Sequence, residues 1–165
     1  MITTIDTIGV SKYVSPSTLE RAYEVACNLR EDDWRECVEG HGLNPKQAIP
    51  LHSLQCDCYT FIVPNNALAG IAGVYSNCEI WMLCTPAIHD YPLTFAREAK
   101  RFIEGRSEPF LWCRADARNV AHLKLLKFLG FKEQRQLTFG PNNLTFIELT
   151  YASTSVAAGP CLGSI

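Results

Sequence analysis

The chain has 165 residues, of which 47% are hydrophobic and 19% are charged, and it carries a formal net charge of −2. This composition excludes a disordered chain, which is poor in hydrophobic and rich in charged residues. The near-neutral charge argues against direct binding of nucleic acid, and no apolar run approaches the ~20 residues that span a bilayer. We therefore predict one soluble domain without nucleic-acid or membrane contacts.

Eight cysteines stand out in this composition. A chain of this length can build a hydrophobic core, so it does not need the disulfide framework of a short secreted domain, and its first residues carry no secretion signal. The tight pair Cys56 and Cys58 lacks the second ligand pair of a structural zinc site. We expect no metal, and thiols that pack as small hydrophobes in a reducing cytoplasm.

The first part of the chain combines one strand pattern with three short helical patterns. Apolar and polar residues alternate at the start, and apolar residues at helical spacing follow. The predicted elements are a strand within residues 1–15 (Ile2, Ile5, Ile8, Val10) that turns at Ser15-Pro16, a helix over 17–29 capped by Ser17 and Glu20, a helix over 31–39 that ends at Gly40-His41-Gly42, and a polar, lid-like helix over 45–54.

Beyond residue 57 the pattern changes to strands that alternate with two helices. The predicted elements are strands over 58–63, 67–75 and 79–85, a helix over 93–104, a strand over 110–115, a helix over 120–129 that Asn119 caps and Gly130 ends, and a hairpin over 132–139 and 144–151. We predict a single α+β domain over residues 1–151, in which helices flank a mixed central sheet and a β-hairpin ends the fold, followed by a tail over 152–165.

The segment from Asp116 to Phe131 carries a recognisable signature. Asn119 opens a helix, an aliphatic and aromatic seam follows, and Gly130-Phe131 closes it before the hairpin. This segment resembles the C-terminal signature of the GCN5-related N-acetyltransferases (GNATs). The predicted order of elements over roughly residues 1–150 also resembles the order in that family. The resemblance implies their fold.

A narrower resemblance covers residues 53–150. It rests on the runs Trp81-Met82-Leu83-Cys84-Thr85, Phe95-Ala96-Arg97 and Phe139-Gly140-Pro141, with Phe146 downstream. Together with the signature segment, these runs are similar to an acetyltransferase-like family of short-tailed phages that is related to internal virion, or internal core, proteins. This resemblance implies a place in the virion, or in the host cytoplasm before assembly, and other virion proteins as partners.

Two chemical requirements of the enzymes are poorly met. Their acetyl-CoA loop, Q/R-x-x-G-x-G/A, uses glycines and successive amides to hold the pyrophosphate, whereas residues 87–94 contain neither glycine nor arginine and place Asp90 and Pro92 there. The tyrosine that often serves as the general acid falls on Leu126, which cannot donate a proton. Glu79 remains a candidate general base, although a strand-end carboxylate is more often simply solvated.

The resemblances leave three hypotheses. The first is a virion-associated protein with a degenerate acetyltransferase fold, which needs no cofactor, acts through protein contacts and can form oligomers. The alternative is an N-acetyltransferase in which backbone groups of Leu83 and Thr85 pair with the pantetheine arm of acetyl-CoA near Asn119. An inhibitor of a host protein is the third. A gap between the fourth and fifth strands favours the alternative, unless Trp81, Trp112 or Tyr91 fills it.

Overall fold

The computed structural model describes residues 11–153. None of the helices in this part of the chain is long and apolar enough to cross a membrane. In chain order the elements are β1 (Val14–Pro16), α1 (Leu19–Cys27), α2 (Glu31–Arg35) with a π-helical continuation (Glu36–Gly40), α3 (Pro45–Gln55), β2 (Asp57–Ile62), β3 (Leu68–Val74), β4 (Ile80–Cys84), a 3₁₀ turn (Pro86–His89), α4 (Pro92–Glu104), β5 (Phe110–Asp116), α5 (Val120–Leu129), β6 (Lys132–Phe139) and β7 (Leu144–Ala152).

The strands form two antiparallel groups that meet at β4 and β5. The first group has the order β1-β2-β3-β4 and the second has the order β5-β7-β6. β4 and β5 run parallel and share a single bridge, between Glu79 and Trp112, where the Trp112 N–H donates to the Cys78 carbonyl at 3.1 Å. Beyond that bridge the two strands separate. The predicted α+β fold with a mixed central sheet is confirmed, and the sheet is open at its middle.

Hydrophobic packing holds helices on both faces of this sheet. The larger core cluster joins α4 and α5 to the sheet through residues such as Phe95 and Leu129. The smaller cluster packs α1 and α3 on β3 and contains Val25, Ile49 and Ile71. Burying an aliphatic or aromatic side chain of this size contributes roughly 1.5–3 kcal/mol. The two clusters therefore fix the helices on either side of the β4–β5 opening.

The predicted helix ends need correction in the first part of the chain. Thr18, not Ser17, caps α1, since the Arg21 N–H donates to Thr18 Oγ1 at 3.2 Å. Ser17 instead accepts a hydrogen bond from the Thr60 hydroxyl at 2.8 Å. The predicted turn at Ser15-Pro16 belongs to β1 and pairs with β2. Tertiary hydrogen bonds outweighed the local capping pattern here.

The glycine and asparagine residues that we expected to delimit helices agree with the structure at α5 but differ after α2. Gly40 lies within the π-helical segment, and the left-handed residue is Gly42, with a φ of 69°. Asn119 caps α5 and the left-handed Gly130, with a φ of 101°, ends it, as predicted. The strand predicted from Ile2 to Val10 lies outside the described residues. So does the predicted tail beyond residue 153, and β7 extends to Ala152.

The cysteines are free thiols of mixed burial within residues 11–153. Cys37, Cys84 and Cys113 are buried, which confirms their packing as small hydrophobes, whereas Cys27 is exposed. Burial raises the pKa of the Cys113 thiol to about 12, so that thiol stays protonated and is a poor nucleophile at neutral pH. Cys161 lies outside the described residues.

Candidate functional site

The separation of β4 from β5 opens a cavity of about 530 Å³. Its lining comes from both faces of the sheet, namely Ala48, Ile49 and His52 of α3 on one face, Ile80 and Met82 of β4 in the middle, and Leu125, Leu126 and Leu129 of α5 on the other. The opening is therefore a passage through the sheet. We call this space the main cavity.

None of the three aromatic residues that could have closed the passage fills it. Trp81 forms part of the cavity wall, with its ring over Gly73 of β3, where a Cβ atom would come within 2.5 Å of Trp81 Nε1. The Trp112 indole donates to the Asn77 carbonyl at 3.1 Å. Tyr91 packs against the larger core cluster beside α4. The gap expected for a binding site is thus open.

A smaller cavity of about 190 Å³ lies at the beginning of α4. We call it the entry cavity. Arg30, Cys84, Ile88, Phe95 and Ala96 are among its lining residues. Met82, His122 and Leu125 line both cavities. The two spaces therefore adjoin at these three side chains, and we call this place the neck.

A buried polar network borders the neck. Arg30 donates to both carboxylate oxygens of Asp33, at 3.1 and 3.0 Å. The Asn119 amide donates to Asp33 Oδ1 at 2.8 Å and to Glu36 Oε2 at 3.0 Å. Arg30, Asp33, Glu36 and Asn119 are each at most 7% exposed. Every carboxylate in this network therefore has a donor, which buried charges require.

The network also holds the end of β4. The Cys84 N–H donates to Asp33 Oδ2 at 2.8 Å, and the Cys84 carbonyl accepts from the Arg30 N–H at 2.9 Å. The beginning of α2 thus pairs with the β4 edge that faces the gap. Arg30, Asp33 and Glu36 recur every three residues, a spacing that puts charged side chains on one helix face. That spacing was the signal in the sequence, and our sequence reasoning missed it.

Asp33, Glu36 and His122 bring three potential metal-ligand atoms within 4.8 Å of one another. The carboxylates are already engaged, because Arg30 pairs with Asp33 and the Asn119 amide donates to both acids. The Arg30 guanidinium would also repel a cation beside Asp33. We therefore assign these residues to a hydrogen-bonded ion-pair network and not to a metal centre.

Glu36 and His122 influence each other's protonation. Burial alone raises the pKa of Glu36, but His122 and the Asn119 amide outweigh burial and hold it below the usual 4.5. Burial alone lowers the pKa of His122, but the Glu36 carboxylate outweighs burial and raises it above 6.5. His122 Nδ1 lies 3.7 Å from Glu36 Oε2. The folded chain therefore favours an imidazolium beside a carboxylate.

Two further histidines contact the main cavity. The His41 ring packs edge-on against Phe139 and Phe146, with centroid distances of 5.1 and 5.4 Å. Burial lowers the pKa of His41, although Glu36 and Glu79 oppose that shift. His52 forms a hydrogen bond with the Tyr75 hydroxyl. Our sequence reasoning treated these histidines as scattered, because residues far apart in the sequence converge only in the fold.

The predicted site residues lie partly on the wall of the main cavity and partly outside it. Glu79 is half-buried, precedes β4 and lines the main cavity, as do Leu83 and Leu126. Thr85 is engaged with β3, because its N–H donates to the Ala69 carbonyl at 2.9 Å. Asn119 lies in the buried network at the neck. Thr85 and Asn119 line neither cavity, and the roles assigned to all four residues stay predictions.

The register of β4 decides which backbone groups face the gap. Opposite residues of antiparallel strands alternate between hydrogen-bonded and non-hydrogen-bonded pairs. Because the Thr85 N–H donates to the Ala69 carbonyl, Leu83 and Ile71, two positions along each strand, also form a hydrogen-bonded pair. The N–H and C=O groups of Met82 and Cys84 therefore point toward β5. For contact with a pantetheine arm, the register favours Met82 and Cys84 over the predicted Leu83 and Thr85.

Comparison with known proteins identifies the fold. No sequence profile of a protein family matches the chain, and no curated protein matches its sequence. A GNAT-family acetyltransferase from Bacillus anthracis has a TM-score of 0.61 at 8% identity, covering 84% of this chain and 93% of that one. A phosphinothricin acetyltransferase from Sinorhizobium meliloti, solved with acetyl-CoA, has a TM-score of 0.62 at 12% identity, covering 91% and 93%. The chain has the GNAT fold.

A variant of spermidine N-acetyltransferase from Vibrio cholerae also has the GNAT fold, with a TM-score of 0.56 at 10% identity, covering 84% of this chain and 94% of that one. At such identities the likeness establishes the fold alone. The broader resemblance in the sequence is therefore confirmed as a matter of fold, whereas the resemblance to a phage family has no support.

The main functional hypothesis is wrong. It described a virion protein that acts through protein contacts, but the structural neighbours named here are acetyltransferases. The expectation of no cofactor likewise has no support, since one of these neighbours was solved with acetyl-CoA. The physical reason is the open passage between β4 and β5, which a missing loop motif could not reveal.

We expect Asn119→Ala to lower the free energy of unfolding by about 2–4 kcal/mol, because two buried carboxylates lose their shared donor. Asn119→Ser can still cap α5 and should recover only about 1 kcal/mol of this loss. Urea denaturation measures both values. Asn44→Ala, which removes the exposed cap of α3, is the matched control and should cost about 1 kcal/mol. Equal losses at Asn119 and Asn44 would contradict the bridging role.

The Glu36–His122 pair should make stability depend on pH in both directions. The lowered pKa of Glu36 gives a contribution that is full above 4.5 and is lost as pH falls through the folded value. The raised pKa of His122 gives one that is full below 6.5 and is lost as pH rises through its folded value. Urea denaturation of wild type and His122→Gln should differ most between pH 4.5 and 6.5. A difference independent of pH would disprove this coupling.

Proposed function

We propose that this protein is an N-acyltransferase that moves an acyl group from a coenzyme A thioester to a primary amine. The observation that carries the proposal is the separation of β4 from β5, where the main cavity opens through the sheet and the entry cavity adjoins it at the neck. A thioester from the α4 side and an amine from the α3 side would meet in it. The GNAT fold supports this function without specifying a substrate.

A pantetheine arm fits the wall of the passage. Met82 directs an N–H and a C=O of β4 into the gap, so an extended arm with amide groups can pair with it as an added strand would. Ile88, Phe95 and Ala96 supply apolar surface beside this edge. The backbone groups of Cys84 are already bonded to Asp33 and Arg30, so Met82 is the residue we assign to the arm.

The nucleotide end of acetyl-CoA fits less well. Between β4 and α4 the chain forms a 3₁₀ turn over Pro86–His89, and Pro92 is the first residue of α4. Proline offers no N–H, and the exposed carboxylate of Asp90 repels phosphate. The pantetheine arm therefore supplies most of the expected affinity, and the pyrophosphate supplies little.

The main cavity suits an amine with an apolar body. Glu79 attracts an ammonium group, and His41, whose pKa burial lowers, can accept a proton at neutral pH. Leu43, Ile49 and Phe139 contribute apolar surface to the same cavity. In this scheme Glu79 takes a proton from the ammonium with help from His41, the freed nitrogen bonds to the thioester carbonyl carbon, and the carbon–sulfur bond breaks with its electron pair on sulfur.

Titration calorimetry with acetyl-CoA and with acetyl-pantetheine tests the donor site. We expect micromolar dissociation constants that agree within about tenfold, because the arm provides most of the contacts. Acetyl transfer to phenethylamine, followed by thiol release and mass spectrometry, tests the reaction, and Glu79→Gln should lower kcat about 100-fold. Wild-type protein that binds neither donor and acetylates no amine would overturn the proposed function.

Filling the neck should weaken donor binding. Leu125 lines both cavities, so Leu125→Trp is expected to weaken acetyl-CoA binding at least about 10-fold, because the larger ring occupies the space that the arm needs. Lys124→Trp, at the exposed neighbouring position of α5, is the matched control and should bind normally. Thermal unfolding checks that both variants are folded. Normal binding by Leu125→Trp would place the donor elsewhere.

A further inference from the structure

His122 occupies the junction of the two cavities. It lies in the first turn of α5, capped by Asn119, and its side chain is 11% exposed. Met82 and Leu125 share this junction with it. A thioester whose arm runs along Met82 and whose acyl group reaches the main cavity would bring its sulfur to this neck. His122 is therefore the titratable side chain at the place where the carbon–sulfur bond would break.

We infer that His122 is the general acid that protonates the departing thiolate. The assignment rests on the proposed function. Leu126 takes the position where a tyrosine is expected from the resemblance, and His122 lies one turn earlier on the same face of α5, since residues four apart share a helix face. The helix thus offers an alternative proton donor on the side that faces the cavities.

Charged groups around His122 favour its protonated form. Glu36 and Asp33, on the helical segment opposite, face the imidazole with their carboxylates, and Arg30 opposes them with a positive charge. Arg30 is paired with Asp33, which leaves Glu36 as the partner of His122. Burial lowers the pKa of His122, but Glu36 raises it by more. His122 Nδ1 is buried and has no hydrogen-bond partner within residues 11–153.

All protons are accounted for in the proposed step. The ammonium loses one proton before attack and a second after the nitrogen–carbon bond has formed. The carbon–sulfur electron pair moves to sulfur, and His122 supplies the proton that makes the free thiol. One of the two amine protons restores the imidazolium through water, and the other is released to solvent. No oxidant, reductant or further reactant is needed.

A comparison of leaving groups tests this role. An alkyl thiolate needs a proton as it departs, whereas an aryl thiolate is a weaker base and needs it less. We expect His122→Gln to lower kcat about 100-fold with acetyl-CoA, but only a few-fold with S-phenyl thioacetate. The double variant His122→Gln, Leu126→Tyr should regain part of the acetyl-CoA rate. Lys124→Gln, exposed on the same helix, is the control and should behave as wild type.

The pH profile provides an independent readout. With acetyl-CoA, the wild-type kcat should fall as pH rises through the pKa of His122, and this limb should be absent in His122→Gln. NMR titration of the imidazole needs no acyl donor, and should give a pKa above 6.5 in wild type and a lower one in Glu36→Gln. If His122→Gln does not fold, Glu36→Gln serves in its place and should show the same selective loss with acetyl-CoA.

The proposed function and the role of His122 can be disproved separately. Wild-type protein that transfers no acetyl group overturns the proposed function and, with it, the role of His122. Wild-type protein that transfers acetyl while His122→Gln loses no rate, or loses equally with both donors, overturns only the role of His122. An imidazole pKa below 6.5 in the wild type also overturns that role.

Discussion

The pairing of α2 with the free edge of β4 is the interaction on which the site depends. A strand edge carries N–H and C=O groups that need partners when they are buried. At Cys84 those partners are the Asp33 carboxylate and the Arg30 amide, so β5 is not required there. Cys84 therefore keeps its partners where β4 and β5 part after a single bridge, and the N–H and C=O groups of Met82 are left to face the gap. The passage through the sheet follows because α2, and not β5, pairs with this end of β4.

The same interaction brings charge into the interior, and the network balances it. Arg30 and a protonated His122 offset Asp33 and Glu36, while Asn119 joins the two acids through one amide. Buried ion pairs add little stability over apolar packing, but breaking one is costly. The network therefore fixes the relative position of α2, β4 and α5 around the neck. The polar groups that hold the passage open are also those that set the charge of His122.

The proposed donor site differs from the GNAT acetyl-CoA site suggested by the resemblance. In the pattern that those enzymes share, a glycine-rich loop grips the pyrophosphate. Here the corresponding segment is a 3₁₀ turn followed by Pro92, whereas the β4 edge at Met82 and the apolar surface of Phe95 remain. Recognition would shift from the phosphate end of the donor to its arm. Loss of the loop motif therefore predicts weaker binding of the donor's phosphates and does not by itself exclude acyl transfer.

The sequence by itself determined the local elements and the fold class. Asn119 and Gly130 delimit α5 through their own side-chain and backbone chemistry, and the apolar run of β4 indicates a buried strand. It also pointed to Glu79, a strand-end carboxylate that lines the cavity. Only the tertiary structure decided that β4 and β5 separate and that His122 meets Glu36. Both depend on contacts between residues far apart in the sequence, 51 positions for Asp33 with Cys84 and 83 for Glu36 with Asn119, and no local pattern encodes such a distance.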